Sequence, residues 1–169
     1  MGSLKLFGGD IVDDEILKGQ DAIVNPTNPR MVAGAGVSGA IFRKAGIDKL
    51  ERYTQANFKT EMIVGEVRVV DGFDLGMDII FIQGPVAYEY DDPLPVLLDT
   101  YKHLLNKIES YGYKNVVMPS LGTGTYGYEH EDVAKMVMNL IINFVKDKDI
   151  NIKYVLYDKE TMWIYKSYL

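Results

Sequence analysis

The sequence predicts an α/β sandwich. Strand-like and helix-like periodicities alternate along the chain, with glycine and proline as punctuation between them. Ile79 to Ile82 and Val116 to Met118 are unbroken apolar runs, as expected of strands covered on both faces. The segment Glu131–Asp147 is apolar almost all round, through Val133, Ala134, Met136, Val137, Leu140, Ile141, Phe144 and Val145, which puts it deep against the sheet with its methionines as core packing.

Taken in order, Leu4–Phe7 reads as the first strand, stopped by Gly8-Gly9. Ala22–Asn25 is the second, stopped by Pro26. Val37–Ala45 and Asp48–Asn57 read as helices separated at Gly46. Glu66–Asp71 and Ile79–Gly84 are strands, and Leu94–Tyr111 is a helix that follows Pro93 and stops before Gly112. Val116–Ser120, Glu131–Asp147 and Lys153–Tyr157 give strand, helix and strand, and a short helix near Glu160–Tyr168 closes the chain. No low-complexity linker and no internal repeat interrupts the pattern. With 169 residues, 47% of them apolar, one domain spanning residues 1–169 can bury its own core.

Composition narrows the chemistry. There is no cysteine, which removes disulfides, thiolate metal sites and a cysteine nucleophile, and fits a reducing compartment. His103 and His130 are the two histidines, too few for a zinc site without cysteine, so neither a metal nor another cofactor is expected. No stretch reaches the roughly 20 apolar residues of a membrane span, and Met1–Asp10 has no signal-peptide pattern. The expectation is a cytoplasmic protein with no membrane partner. A net charge of −6 argues against general nucleic-acid binding, and an anionic ligand would have to be held by backbone amides.

Two segments stand out, each after a strand and before a helix, where α/β folds place ligands. One is Asn25-Pro26-Thr27-Asn28-Pro29-Arg30-Met31-Val32-Ala33-Gly34-Ala35-Gly36-Val37-Ser38-Gly39; the other is Pro119-Ser120-Leu121-Gly122-Thr123-Gly124-Thr125-Tyr126-Gly127. Glycine lets backbone approach a ligand, and successive amides at a helix start point at one anionic group. Together the loops can clasp a diphosphate, although for either alone the glycines serve tight turns equally well. Both match G-x-G-x-x-G, which also suggests a dinucleotide-binding Rossmann unit. Against that, the eight residues Pro26 to Ala33 separate the strand from Gly34, and Glu51 and Glu61 are misplaced for a ribose contact. A P-loop is excluded because Gly39 is followed by Ala40-Ile41, with no lysine.

Gly9-Asp10-Ile11, Val24-Asn25-Pro26-Thr27-Asn28 with Gly34-Ala35-Gly36-Val37, and Ser120 to Gly127 together resemble the macro domain family in order and spacing, over essentially the whole chain. The resemblance implies a three-layer α/β/α sandwich around a mixed, centrally parallel sheet, with ADP-ribose or an ADP-ribosylated protein as partner. It assigns adenine recognition to Asp10 with the Ile11 amide, and the distal ribose to Asn28. Diphosphate-binding amides fall to Gly34, Ala35, Gly36 and Val37, and to Ser120, Gly122, Thr123, Gly124, Thr125 and Tyr126, with the Tyr126 ring packed on the distal ribose. Asn28 and Gly36 are the candidate catalytic positions, holding the ribose and a water against the diphosphate. Asn25 is expected to stabilise its loop, Arg30 to be solvated and His130 to lie on the surface. Many family hydrolases carry an aspartate where this chain has Ser38, so binding is better supported than turnover. The functions implied are hydrolysis of mono-ADP-ribose or an ADP-ribose ester or phosphate, or recognition without turnover, with a Rossmann-type nucleotide enzyme as the remaining alternative.

Overall fold

The computed structural model describes all residues, Met1–Leu169. Six strands form one sheet: β1 Ser3–Gly8, β2 Ala22–Pro26, β3 Val67–Asp71, β4 Asp78–Ile82, β5 Asn115–Pro119 and β6 Asn151–Leu156, in the order β1-β6-β5-β2-β4-β3. All neighbours pair in parallel except β3, which runs antiparallel to β4 at an edge. The helices are α1 Asp14–Leu17, α2 Gly36–Ala45, α3 Ile47–Asn57, α4 Pro93–Ser110, α5 His130–Val145 and α6 Lys159–Lys166.

Alternation along the strands feeds two cores. Val24, Ile80, Ile82, Val116, Met118, Tyr154 and Leu156 face α4, α5 and α6. Ile23, Ile79, Phe81, Val117 and Val155 face α1, α2 and α3. The result is the expected three layers. Every expected strand and helix is present, with ends shifted by a few residues. The additions are two 3-10 turns, Phe73–Leu75 and Ala87–Glu89, and α1, one turn capped by Asp13, whose side chain accepts from the Glu15 amide at 3.0 Å. Its single pair of apolar residues, Ile16 and Leu17, is too short a pattern to register as a helix in the sequence. None of the helices is long and apolar enough to cross a membrane.

Topology fixes where a ligand can sit. From β5 the chain proceeds to β6 on one side, whereas from β2 it proceeds to strands on the other side. The sheet order therefore reverses between neighbours β2 and β5, and a crevice opens beyond their carboxyl ends. The two glycine loops leave from those two strands.

Beneath the second loop the α4–α6 core carries a buried polar cluster. The Leu121 amide donates to Tyr101 Oη at 2.8 Å, and Tyr101 and Tyr154 share a hydroxyl hydrogen bond of 2.8 Å. Burial holds both phenols well above the ordinary tyrosine value, so they stay neutral at any physiological pH. Removing one partner from such a cluster strands the others. Tyr101→Phe leaves the Leu121 amide and the Tyr154 hydroxyl without their bonds, and is expected to destabilise the protein by about 1–3 kcal/mol. Urea unfolding of the variant measures this, and a loss below about 0.5 kcal/mol would contradict it.

Candidate functional site

The first loop is anchored before it reaches the crevice. Met31, with φ of 57°, buries its side chain in the α1–α3 core at 1% exposure, and its carbonyl accepts from Thr54 Oγ1 at 2.8 Å. Asn28 braces the same turn: Nδ2 donates to the Val32 carbonyl at 2.7 Å, and Oδ1 accepts from the Arg30 and Val32 amides at 3.2 and 3.3 Å. One Nδ2 hydrogen is left for a ligand. Ala35 is extended, with φ of −86°, and Gly36 takes φ of +61° as the first residue of α2. A Cβ on Gly39 would lie 2.3 Å from the Gly34 carbonyl oxygen, so only glycine lets α2 pack this closely under the loop.

The second loop is tied on three sides. Leu121 holds its start, the Ala87 amide donates to the Tyr126 carbonyl at 2.8 Å, and the Tyr128 amide donates to the Gly122 carbonyl at 3.0 Å. Thr123 Oγ1 donates to Ser120 Oγ at 2.9 Å, which bonds Tyr165 Oη at 2.9 Å, which in turn meets His130 Nδ1 at 3.0 Å.

Between the loops lies a cleft of about 590 Å³. Its wall brings together Asn28, Gly34, Ala35, Gly36, Val37, Ser120, Gly122, Thr123, Gly124, Thr125 and Tyr126. Asp10 and Ile11 are not on that wall. Asp10 is exposed and its Oδ1 accepts the Val12 amide at 3.1 Å, capping its own turn, while Ile11 is buried in the α1–α3 core. Both follow β1, which pairs with β6, so they flank the β6 end of the cleft. Asn25 is fully buried and neither of its amide atoms has a hydrogen-bond partner, so it does not tie the loop by hydrogen bonding.

The wall also contains residues the sequence did not single out for it: Tyr157, Asp158 and Thr161 after β6, and His130 at the start of α5. Position was the available signal, since β6 ends at the same edge as β2 and β5. His130, expected on the surface, is half-buried because Tyr165 holds it against the cleft. Ser38 is on the wall, buried, with Oγ unbonded. Arg30 is exposed and off the wall.

The electrostatics are those of a cation-free anion site. No lysine or arginine lines the cleft. The amides of Gly34 to Ser38 and of Gly122 to Tyr126 have no acceptor in the protein, and these same residues form the two facing walls. Such arrays of unengaged N–H groups, one at the start of a helix, favour negative charge.

Burial lowers the His130 pKa, against the pull of Asp158 and Glu129 in the other direction, so the imidazole is neutral at neutral pH. With the folded value below the unfolded one, its stabilising contribution is present above about pH 6.5 and is lost as the pH falls through the folded value. An NMR titration is expected to place the His130 midpoint below 6.5. Asp158→Asn should lower it further, because it removes a carboxylate that favours imidazolium while preserving the α6 cap. A midpoint at or above 6.5 would contradict this balance.

Comparison with known proteins agrees with this geometry. The O-acetyl-ADP-ribose deacetylase of Cronobacter sakazakii is 30% identical, over 99% of this chain and 94% of that protein. The O-acetyl-ADP-ribose deacetylase of Citrobacter rodentium is 33% identical, over 88% of this chain and 87% of that protein. The Oceanobacillus iheyensis macrodomain with ADP superposes with a TM-score of 0.87 at 28% identity, covering 98% of this chain and 88% of that chain. The profile of the Macro domain family matches residues 24–137. With the fold, the paired glycine loops and this match in agreement, the chain belongs to the macro domain family.

Proposed function

We propose that this chain binds ADP-ribose, free or attached to protein, in the cleft between the glycine loops and hydrolyses an O-acyl ester of it to ADP-ribose and a carboxylate. The observation that carries the proposal is the double row of unengaged amides, Gly34 to Ser38 and Gly122 to Tyr126, facing one cleft with no cation on its wall. A diphosphate matches that array: it brings oxygens for both loops and needs no side-chain charge. The names and lengths of the deacetylase relatives support the ester as substrate.

In this reading the diphosphate lies across the loop amides, the free Nδ2 hydrogen of Asn28 meets a hydroxyl of the distal ribose, and the Tyr126 ring packs on that sugar. The adenosine half extends toward the β6 end, where the second carboxylate oxygen of Asp10 takes the adenine amino group. A water held beside the diphosphate, near Gly36, attacks the ester carbonyl. Ser38 stands where the family resemblance implies an aspartate in many hydrolases. A hydroxyl of ordinary pKa is no general base at neutral pH, and general-base help is typically worth about 10² to 10⁴ in rate. Turnover is therefore slow and rests on positioning. Ser38 also favours a second reading, an ADP-ribose reader without turnover.

Calorimetry and an acetate-release assay separate these readings. ADP-ribose should bind at least about tenfold more tightly than AMP, a difference of about 1.4 kcal/mol, because AMP cannot span both loops. Equal affinities would sink the two-loop site. Slow release of acetate from O-acetyl-ADP-ribose supports the hydrolase, and tight binding without release supports the reader.

Gly36→Val is the second test. A Cβ there meets nothing within 4 Å, so the side chain projects into open space beside the diphosphate, while its positive φ resists a branched residue. The variant should fold and lose ADP-ribose binding. Wild-type affinity in the folded variant would reduce the first loop to a structural turn.

A further inference from the structure

Gln83, the residue after β4, is 5% exposed. Its Nε2 lies 3.2 Å from the Gly84 carbonyl oxygen and 3.3 Å from Tyr126 Oη, and its Oε1 is buried with no partner. A backbone carbonyl can only accept, so the Gly84 oxygen requires the NH₂ end of the amide on that side. The same NH₂ then faces Tyr126, whose oxygen must accept. The hydrogen of the Tyr126 phenol is thereby left unused by Gln83, and that hydroxyl has no other hydrogen-bond partner in the protein. Tyr126 is itself on the cleft wall and is pinned at its carbonyl by the Ala87 amide. Backbone and hydroxyl are thus both held by the connection between β4 and α4, and the one unused donor belongs to a residue of the cleft wall.

We infer that Gln83 orients Tyr126 as a hydrogen-bond donor to the acyl carbonyl oxygen of the bound ester, making Tyr126 a catalytic residue and Gln83 its positioning residue. This rests on the ester-hydrolase reading. Water oxygen bonds to the carbonyl carbon, the carbonyl π pair moves onto its oxygen, and that oxyanion accepts the Tyr126 hydrogen bond. Collapse breaks the bond from carbon to the ribose oxygen, which takes up one proton of the attacking water while the other is released to solvent. The products are a carboxylate and ADP-ribose, with no other reactant. A donor aimed at developing charge in a prearranged site acts on the transition state more than on bound substrate.

The test is a mutant cycle on O-acetyl-ADP-ribose hydrolysis by the full chain. Tyr126→Phe should lower kcat about 10²-fold with KM little changed, the usual consequence of deleting one oxyanion donor. Gln83→Leu should lower kcat on the order of tenfold with little change in Tm, because the unpaired buried acceptor it removes offsets the two Nε2 hydrogen bonds it loses. The double variant should match Tyr126→Phe alone. Full activity in Tyr126→Phe, or losses that multiply in the double variant, would overturn the inference. An independent readout is the infrared stretch of a ¹³C-labelled amide analogue of the ester bound to each protein. A lower stretch in wild type, lost in both single variants, supports donation by Tyr126, and the same stretch in all three overturns it. If wild type binds ADP-ribose but releases no acetate, the hydrolase reading fails on its own, and the infrared result still decides the hydroxyl's direction.

Discussion

Backbone amides without acceptors in the protein are a standing demand for a partner, and about ten of them, on residues that range from exposed to buried, converge here between two loops at one edge of the sheet. A loop left free would fold back and satisfy its own N–H groups. The rest of the fold prevents this. Met31 is sunk in one core, Thr54 and Asn28 hold the turn around it, Tyr101 grips Leu121 from the other core, and Ala87 grips Tyr126. Each tether uses a group other than the amides that face the cleft. The unsatisfied donors are therefore a property of the anchoring, and the sheet reversal between β2 and β5 is what brings both sets to the same place.

The absence of lysine and arginine from the cleft wall has a consequence for selectivity. A cation attracts any anion, whereas two rows of fixed amides favour a ligand whose charged oxygens match their spacing. Neutral His130 adds no charge, and Asp158 beside it disfavours extra negative charge at the β6 end. An overall charge of −6 works in the same direction by weakening nonspecific anion binding.

The tyrosines of the α4–α6 core act as polar scaffolding for the second loop. Burial raises Tyr165 to about 12, and Tyr101 and Tyr154 further, so this cluster stays protonated and gives and accepts hydrogen bonds at every relevant pH. Through Ser120 and Tyr165 it links Thr123 in the loop to His130 at the start of α5. The second loop is thereby fixed by hydroxyl geometry where the first is fixed by apolar burial and glycine packing.

The fold class and nearly every element follow from local pattern, because unbroken apolar runs such as Ile79–Ile82 and the helical stripe of α5 dictate burial wherever they are placed. The two glycine loops are equally visible, since glycine marks backbone conformations and approaches that other residues resist. Tertiary structure decided what those loops meet. Asn28 turns inward to brace Val32, Asp10 caps its own turn, His130 is drawn to Tyr165, and Gln83 reaches Tyr126, 43 positions away in sequence. The Asp10 and Asn28 turns are local, but the His130 and Gln83 contacts span 35 and 43 positions and do not follow from spacing along the chain. Strand pairing and the handedness of the crossovers set which side chains converge at the sheet's edge, and a side chain's hydrogen-bond partner is chosen there, by distance in space.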